Sequence, residues 1–308
     1  MLVNREVLLA KVESTYNTDS VPTEGANAIL VESMNIKPTN VRMIDRAAIR
    51  ASLAPLKPIY GGRLAELTFD VELKGSGTAG TAPELGVLLR GCGMGETIVA
   101  STSVTYEPVS TGFESLTFYL YQDGIRTIVT GARGTITSAI EAGNTGKLSF
   151  TFTGHVADPT DTAIAAPSYS SVVPSVALGI NFTVGGYAAA INSFTFDMGN
   201  EIVTPNSISE SDGYGEIRIG KRAVKGTIDP ESQLVGTKDY ISEWSGGTSS
   251  ALTTNSIGGT GGNICTISMP AVVYREVADG ERDGIRTYDI AFDAVESSGD
   301  DELSLVFT

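Results

Sequence analysis

The side chains that could do chemistry in this sequence are few and badly placed for it. There is a single histidine, His155, and there are two cysteines, Cys92 and Cys265, far apart and in no zinc-ligand spacing, so no structural zinc site is expected. A nucleophile and its base, a carboxylate pair or a phosphate loop each require particular residues to converge, and no stretch supplies such a set. "GCGMGE" at 91–96 echoes a glycine-rich nucleotide loop, but it follows a helix-like segment where a dinucleotide loop follows a strand; a helix C-cap is the better reading. "DGERD" at 279–283 and "SGDDE" at 298–302 offer oxygens to a hard cation without the spacing of a calcium loop, and are expected to be solvated turns. His155 is expected to be structural or superficial. No catalytic residue, metal or cofactor is expected.

Composition narrows the class further. Hydrophobic residues make up 41% and charged residues 19%, the balance of a folded chain, and 308 residues suffice for two ordinary domains. The 36 acidic and 21 basic side chains give a formal charge of −15, which repels nucleic acid and suits a surface DNA passes without sticking. No apolar run approaches the length of a membrane helix. "MLVNREVLLAKV" lacks a signal h-region, so folding in a cytoplasm with free thiols is expected.

The elements are mainly β. "VLLAKV" and "AILVESMNI" read as strands or arms. Residues 37–60, carrying Arg42, Arg46 and Arg50 among several prolines, read as a long exposed loop. In "LAELTFDVELKG" the alternation of Leu67, Phe69, Val71 and Leu73 with Thr68, Asp70, Glu72 and Lys74 marks a strand with one core face and one wet face. A short helix follows Pro83, with Leu85, Leu88, Leu89 and Cys92 on one stripe. Alternating runs then continue to "KLSFTFTGHV", ending at Val156.

Residues 157–176, rich in Ala, Ser and Pro, look like a linker between domains at 1–156 and 177–308. Beyond them a strand near Arg222 leads to a helix near Thr237, with Tyr240, Ile241 and Trp244 on one side, repeating the spacing from Leu67 to Pro83. "TITSAIEAGNTGKLSFTFTGHV" also resembles "PAVVYREVADGERDGIRTYDIAFDAV" in form. A tandem duplication is therefore expected. The pentamer "DGIRT" occurs at 123–127 and 283–287 but falls out of register with that alignment, so its two copies are expected to share only a hairpin turn.

"LLAKVESTYNTDSVPTEGANAILVESMNI", "GTAPELGVLLRGCGM" and "GIRTYDIAFDAVESSGDDELSLVF" together resemble the tail tube proteins of long, non-contractile-tailed bacteriophages. The resemblance implies a tail-tube-type β-sandwich or barrel with a short flanking helix, assembled as stacked rings into a hollow virion tube for DNA ejection. Such rings are hexamers, or trimers with pseudo-sixfold symmetry where the domain is doubled. The partners it implies are the chain itself and the tape measure, tail terminator and distal tail proteins. It implies transient passage of DNA and no membrane, and assembly in the host cytoplasm. Under it, Arg42, Arg46 and Arg50 become candidate inter-ring contacts, and Asp70 and Glu72 candidate lumen-facing residues. A β-rich surface or fibre module binding carbohydrate or protein is the alternative reading.

Overall fold

Alternation along the strands decides which way each side chain faces. In the computed structural model, which describes Leu2 and residues 4–308, Leu67, Phe69 and Val71 are buried while Glu66, Thr68, Asp70 and Glu72 stay half-exposed. The first half holds β1 (Glu6–Val12), β2 (Ser33–Thr39), β3 (Leu64–Glu72), helix α1 (Gly86–Gly91), the hairpin β4 (Met94–Val99) and β5 (Ser103–Pro108), then β6 (Leu116–Gln122), β7 (Ile125–Glu141) and β8 (Lys147–Val156). The second half holds β9 (Ser193–Asp197), β10 (Lys225–Ile228), α2 (Tyr240–Ser245), β11 (Ser250–Thr253), β12 (Cys265–Arg282), β13 (Ile285–Ala294) and β14 (Ser304–Phe307).

Eight of these strands form one antiparallel sheet in the spatial order β2, β3, β8, β7, β9, β10, β13, β12. The first four come from the first half and the last four from the second, in the same internal order. They meet at a seam where Thr137 to Glu141 of β7 pair with Asp197 to Ser193 of β9.

The correspondence extends to the hairpins that prolong β2–β3 and β9–β10. Met43 pairs with Tyr60 and Ile44 with Ile59; Ile202 pairs with Ile219 and Val203 with Arg218. All four positions of the second hairpin follow their counterparts by one constant displacement, so the enclosed loops, 45–58 and 204–217, are equal in length. At that displacement Gly61, Arg63 and Thr68 coincide with Gly220, Arg222 and Thr227.

Behind the sheet, one buried cluster runs through both halves. Phe118 and Phe152 pack with ring centroids 4.9 Å apart, and Phe69 and Phe150 stack at 5.6 Å. The last strand stitches the halves together, because β14 pairs with β12 on one side and with β5 on the other. Its buried Leu305 and Phe307 complete the core at a point that the alternating pattern ending near Ala294 gave no reason to expect.

Helix α1 begins later than Pro83, which instead forms the preceding turn with Gly86 N donating to Pro83 O at 2.9 Å. Its expected stripe of Leu85, Leu88, Leu89 and Cys92 is buried. Gly93, at φ 81°, ends the helix in the left-handed region, so the 91–96 glycines do serve as a C-cap. In α2 Asp239 accepts from Ser242 N at 2.9 Å as an N-cap, but of the expected stripe only Tyr240 is buried. Ile241 and Trp244 stay partly exposed because the helix rests on its first residue, and the Trp244 indole donates to Arg275 O.

The two DGIRT turns have the same backbone chemistry. Asp123 and Gly124 have φ of 41° and 107°, and Asp283 and Gly284 have 52° and 80°, the paired positive values of a tight hairpin. One joins β6 to β7 and the other β12 to β13, so they occupy different places in the repeated order.

Candidate functional site

Three surfaces of this sheet stand out. The first is the face turned away from the core. Thr68, Thr151, Thr137, Thr195 and Thr227 run across its middle, each half-exposed or exposed. Acids dominate its charge, and its lysines are already paired: Lys37 with Glu66 at 2.7 Å, Lys147 with Glu32 at 2.5 Å and Lys225 with Asp197 at 3.5 Å. No Phe, Tyr or Trp occupies the polar-face positions along the paired spans of the eight strands. Asp70 and Glu72 both lie on this face. The Asp70 carboxylate accepts from Ser33 Oγ at 3.0 Å and Ser149 Oγ at 2.5 Å, and Glu72 lies 3.7 Å from the buried Lys74 ammonium.

The second surface is the pair of sheet edges. Strand β2 pairs only with β3, and residues 276–282 of β12 pair only with β13 among the described residues. Each leaves a row of backbone donors and acceptors open on its outer side, which is a template for another strand.

The third is the pair of long loops, and they behave differently. Loop 204–217 is docked on the first half. His155 Nδ1 lies 2.6 Å from Asp212 Oδ2, and the Tyr16 hydroxyl accepts from Ile217 N at 2.7 Å and meets His155 Nε2 at 3.1 Å. Burial pushes the pKa of the Tyr16 hydroxyl up to about 12. Arg133, itself buried in β7, donates to Ile217 O at 2.6 Å and to Glu216 Oε1 at 2.9 Å. Leu64, Tyr214 and Ile217 close a small apolar cluster beneath. The Asp–His–Tyr line has the composition of a proton relay, yet its members hold a loop in place.

Loop 45–58 packs on nothing comparable. Ile49 and Leu53 are fully exposed, as is the matching Ile208 of the other loop. Arg46 is exposed and Arg50 donates to Ala54 O within the same loop. Arg42 is different from these two. Its guanidinium sits 3.8 Å over the Tyr214 ring and donates to Gly213 O at 3.0 Å and to Asn206, so it is engaged within its own chain.

The polar cluster of Glu13, Tyr16, Arg133, His155 and Asp212 went unread in the sequence. Glu13 accepts from Ser115, Thr117 and Gly131 N, all distant along the chain. Its only local signal was a charged residue beside the glycines of "GARG", inside an otherwise apolar and threonine-rich strand.

Among the described residues no group of three or more His, Cys, Asp or Glu is arranged to hold a metal. No curated protein matches this chain. The family model for the phage tail tube protein matches residues 3–294, nearly the whole chain, and the strand-dominated architecture agrees with it; this chain is a member of the phage tail tube protein family.

Proposed function

We propose that this chain closes into rings of three copies, and that the rings stack into the hollow tail tube through which DNA leaves the virion. The observation that carries this reading is the seam between β7 and β9. Two four-stranded units are joined there edge to edge, and the matching edges at the two ends of the sheet have no partner strand among the described residues. A head-to-tail contact that repeats the seam closes a ring if its rotation divides a full turn, and closure removes the exposed edges. Each chain supplies two such units, so three chains supply six, the pseudo-sixfold arrangement. Six chains would make twelve.

In this ring the threonine-rich, acidic face lines the lumen, with Asp70 and Glu72 on it. Like charge keeps the phosphate backbone off the wall, and a face without aromatic side chains gives bases nothing to stack on. The exposed tips of the two long loops, with Ile49, Ile208, Arg46 and Arg50, reach toward the next ring. The tape measure, terminator and distal tail proteins meet the tube along its axis, in a virion assembled in the host cytoplasm.

Negative-stain microscopy and native mass spectrometry of the purified protein test this directly. Rings or tubes of one diameter, and a species with the mass of three chains, are expected. A protein that stays monomeric at high concentration, even when seeded with preformed tail tips, overturns it.

A further inference from the structure

The second half carries, unfilled, the seat that its own loop fills on the first half. On the first half, residues Asp212–Ile217 lie against the strand leading into Leu64 and against the end of β8, with Asp212 on His155 and Ile217 on Leu64. The repeat fixes the matching seat. Phe69 pairs with Phe150, and its counterpart Ile228 pairs with Ile290. Phe150 of β8 therefore corresponds to Ile290 of β13, and counting on along both strands brings His155 to Val295. Around Val295 there is an open cleft of about 520 Å³, walled by Ile219, Lys221, Arg222, Val224 and Glu296.

The occupant follows from the displacement that relates the two hairpins. Because their loops are equal in length, Asp212–Ile217 corresponds to Leu53–Pro58. Leu53 is fully exposed on its own chain and Val295 is exposed in the cleft. The positions that carry a hydrogen-bonded aspartate and histidine at the internal junction thus carry leucine and valine at the external one. Either pair is complementary within itself, and a crossed pair is not. Charge follows the same exchange: Glu216 meets Arg133 at the internal junction, whereas its counterpart Lys57 would meet a cleft in which Glu296, Asp300 and Glu302 outnumber Lys221 and Arg222.

We propose that Leu53–Pro58 of one copy seats in this cleft of the next copy in the ring, with Leu53 packed on Val295. The proposal rests on the ring-forming reading and names the lateral contact within it. It implies a register for the strands that join copies: since Ser138 faces Phe196 at the internal seam, Asp279 of one copy faces Ile36 of the next, and Gly280 faces Asn35. One position departs from the repeat. A Cβ on Gly62 would fall 1.9 Å from Asp212 O, and Lys221 stands in its place, so the incoming segment rides farther from this strand than Asp212 does.

Cysteine cross-linking tests the seat. Both native cysteines are buried, and positions 53 and 295 are exposed, so Leu53→Cys and Val295→Cys leave folding undisturbed. Rings of the double variant are oxidised and run on a denaturing gel. The expected product is a ladder that stops at three chains, with neither single variant giving one, and an equimolar mixture of the single variants giving only dimers. A ladder that continues without a stop places the contact between stacked rings and overturns the lateral seat, whereas one that stops at six chains overturns the three-copy ring. Rings visible by microscopy that give no cross-link also overturn it. Absence of rings in the reduced wild-type protein would remove the ring reading itself, and the seat with it.

Discussion

His155 Nδ1 and Asp212 Oδ2 are 2.6 Å apart, and that contact ties the closing strand of the first half to the long loop of the second. The pair is part of the mortar between two sheet units. Truncating either residue strands a part-buried polar partner, so Asp212→Ala or His155→Ala should each destabilise the fold by about 1–3 kcal/mol. Urea unfolding should show a lower midpoint with an unchanged slope. A double-mutant cycle should give a coupling of similar size, because the two side chains share the interaction.

The phenylalanines behind the sheet are fully buried in the core. Phe152 packs against Phe118, Phe69 and Phe150, and Phe152→Ala should cost about 3–5 kcal/mol, the usual cost of a cavity of that size. Thermal unfolding of the soluble subunit would measure it.

Acid should loosen the clasp around Arg222. Asp300 accepts from the Ser110 hydroxyl and from Arg222 Nη2 at 2.8 Å, and these hydrogen bonds hold its carboxyl below the ordinary aspartate value. The folded form therefore binds this proton at lower pH than the unfolded chain does. Its stabilisation is fully present near neutrality and is lost as pH falls past the ordinary aspartate range and through the folded value. From mildly acidic to strongly acidic buffer, the melting temperature of the wild type should fall more steeply than that of Asp300→Asn.

Charge on the polar face should decide whether assembled tubes hold DNA. Replacing Asp70 with lysine leaves the buried face of β3 and the Glu72–Lys74 contact untouched, so tubes should still form. They should now bind duplex DNA at low ionic strength and release it as salt rises, while wild-type tubes bind none. DNA bound by the variant tube should resist nuclease digestion, and bound DNA that stays digestible would place this face on the outside of the tube.

Both thiols should be silent in the native state. Cys92 and Cys265 are buried, and burial pushes each thiol well above its usual value. A thiol-specific chromogenic reagent in mildly alkaline buffer should therefore react only as the protein unfolds, with both thiols counted in denaturant.

Several elements were legible from the chain alone, and each has a local cause. Period-two alternation in 66–72 and 147–153 named the buried and wet faces, because a strand's side chains point to opposite sides whatever it pairs with, but Lys74, expected on the wet face, is buried against Glu72 and Glu84. Asp-Gly fixed both DGIRT turns, since few other dipeptides tolerate positive φ twice in succession. The order of strand, helix and closing hairpin in the two halves was also readable, and it placed the second DGIRT out of register with the first. The acidic balance and the lack of clustered reactive residues turned attention from catalysis to surfaces.

What the sequence could not supply was which edge meets which. The β7–β9 seam, the double pairing of β14 and the polar cluster around Arg133 join residues far apart along the chain, and no local propensity encodes such pairings. Arg42 illustrates the difference: three arginines on one exposed stretch look alike in sequence, but only Arg42 lies over the ring of Tyr214. The matching of Leu53 to Asp212 and of Val295 to His155 likewise emerges only when strand registers lock the two halves together. Sequence determined the faces and turns, because those depend on neighbours along the chain; tertiary structure decided the seams and seats, because those depend on neighbours across it.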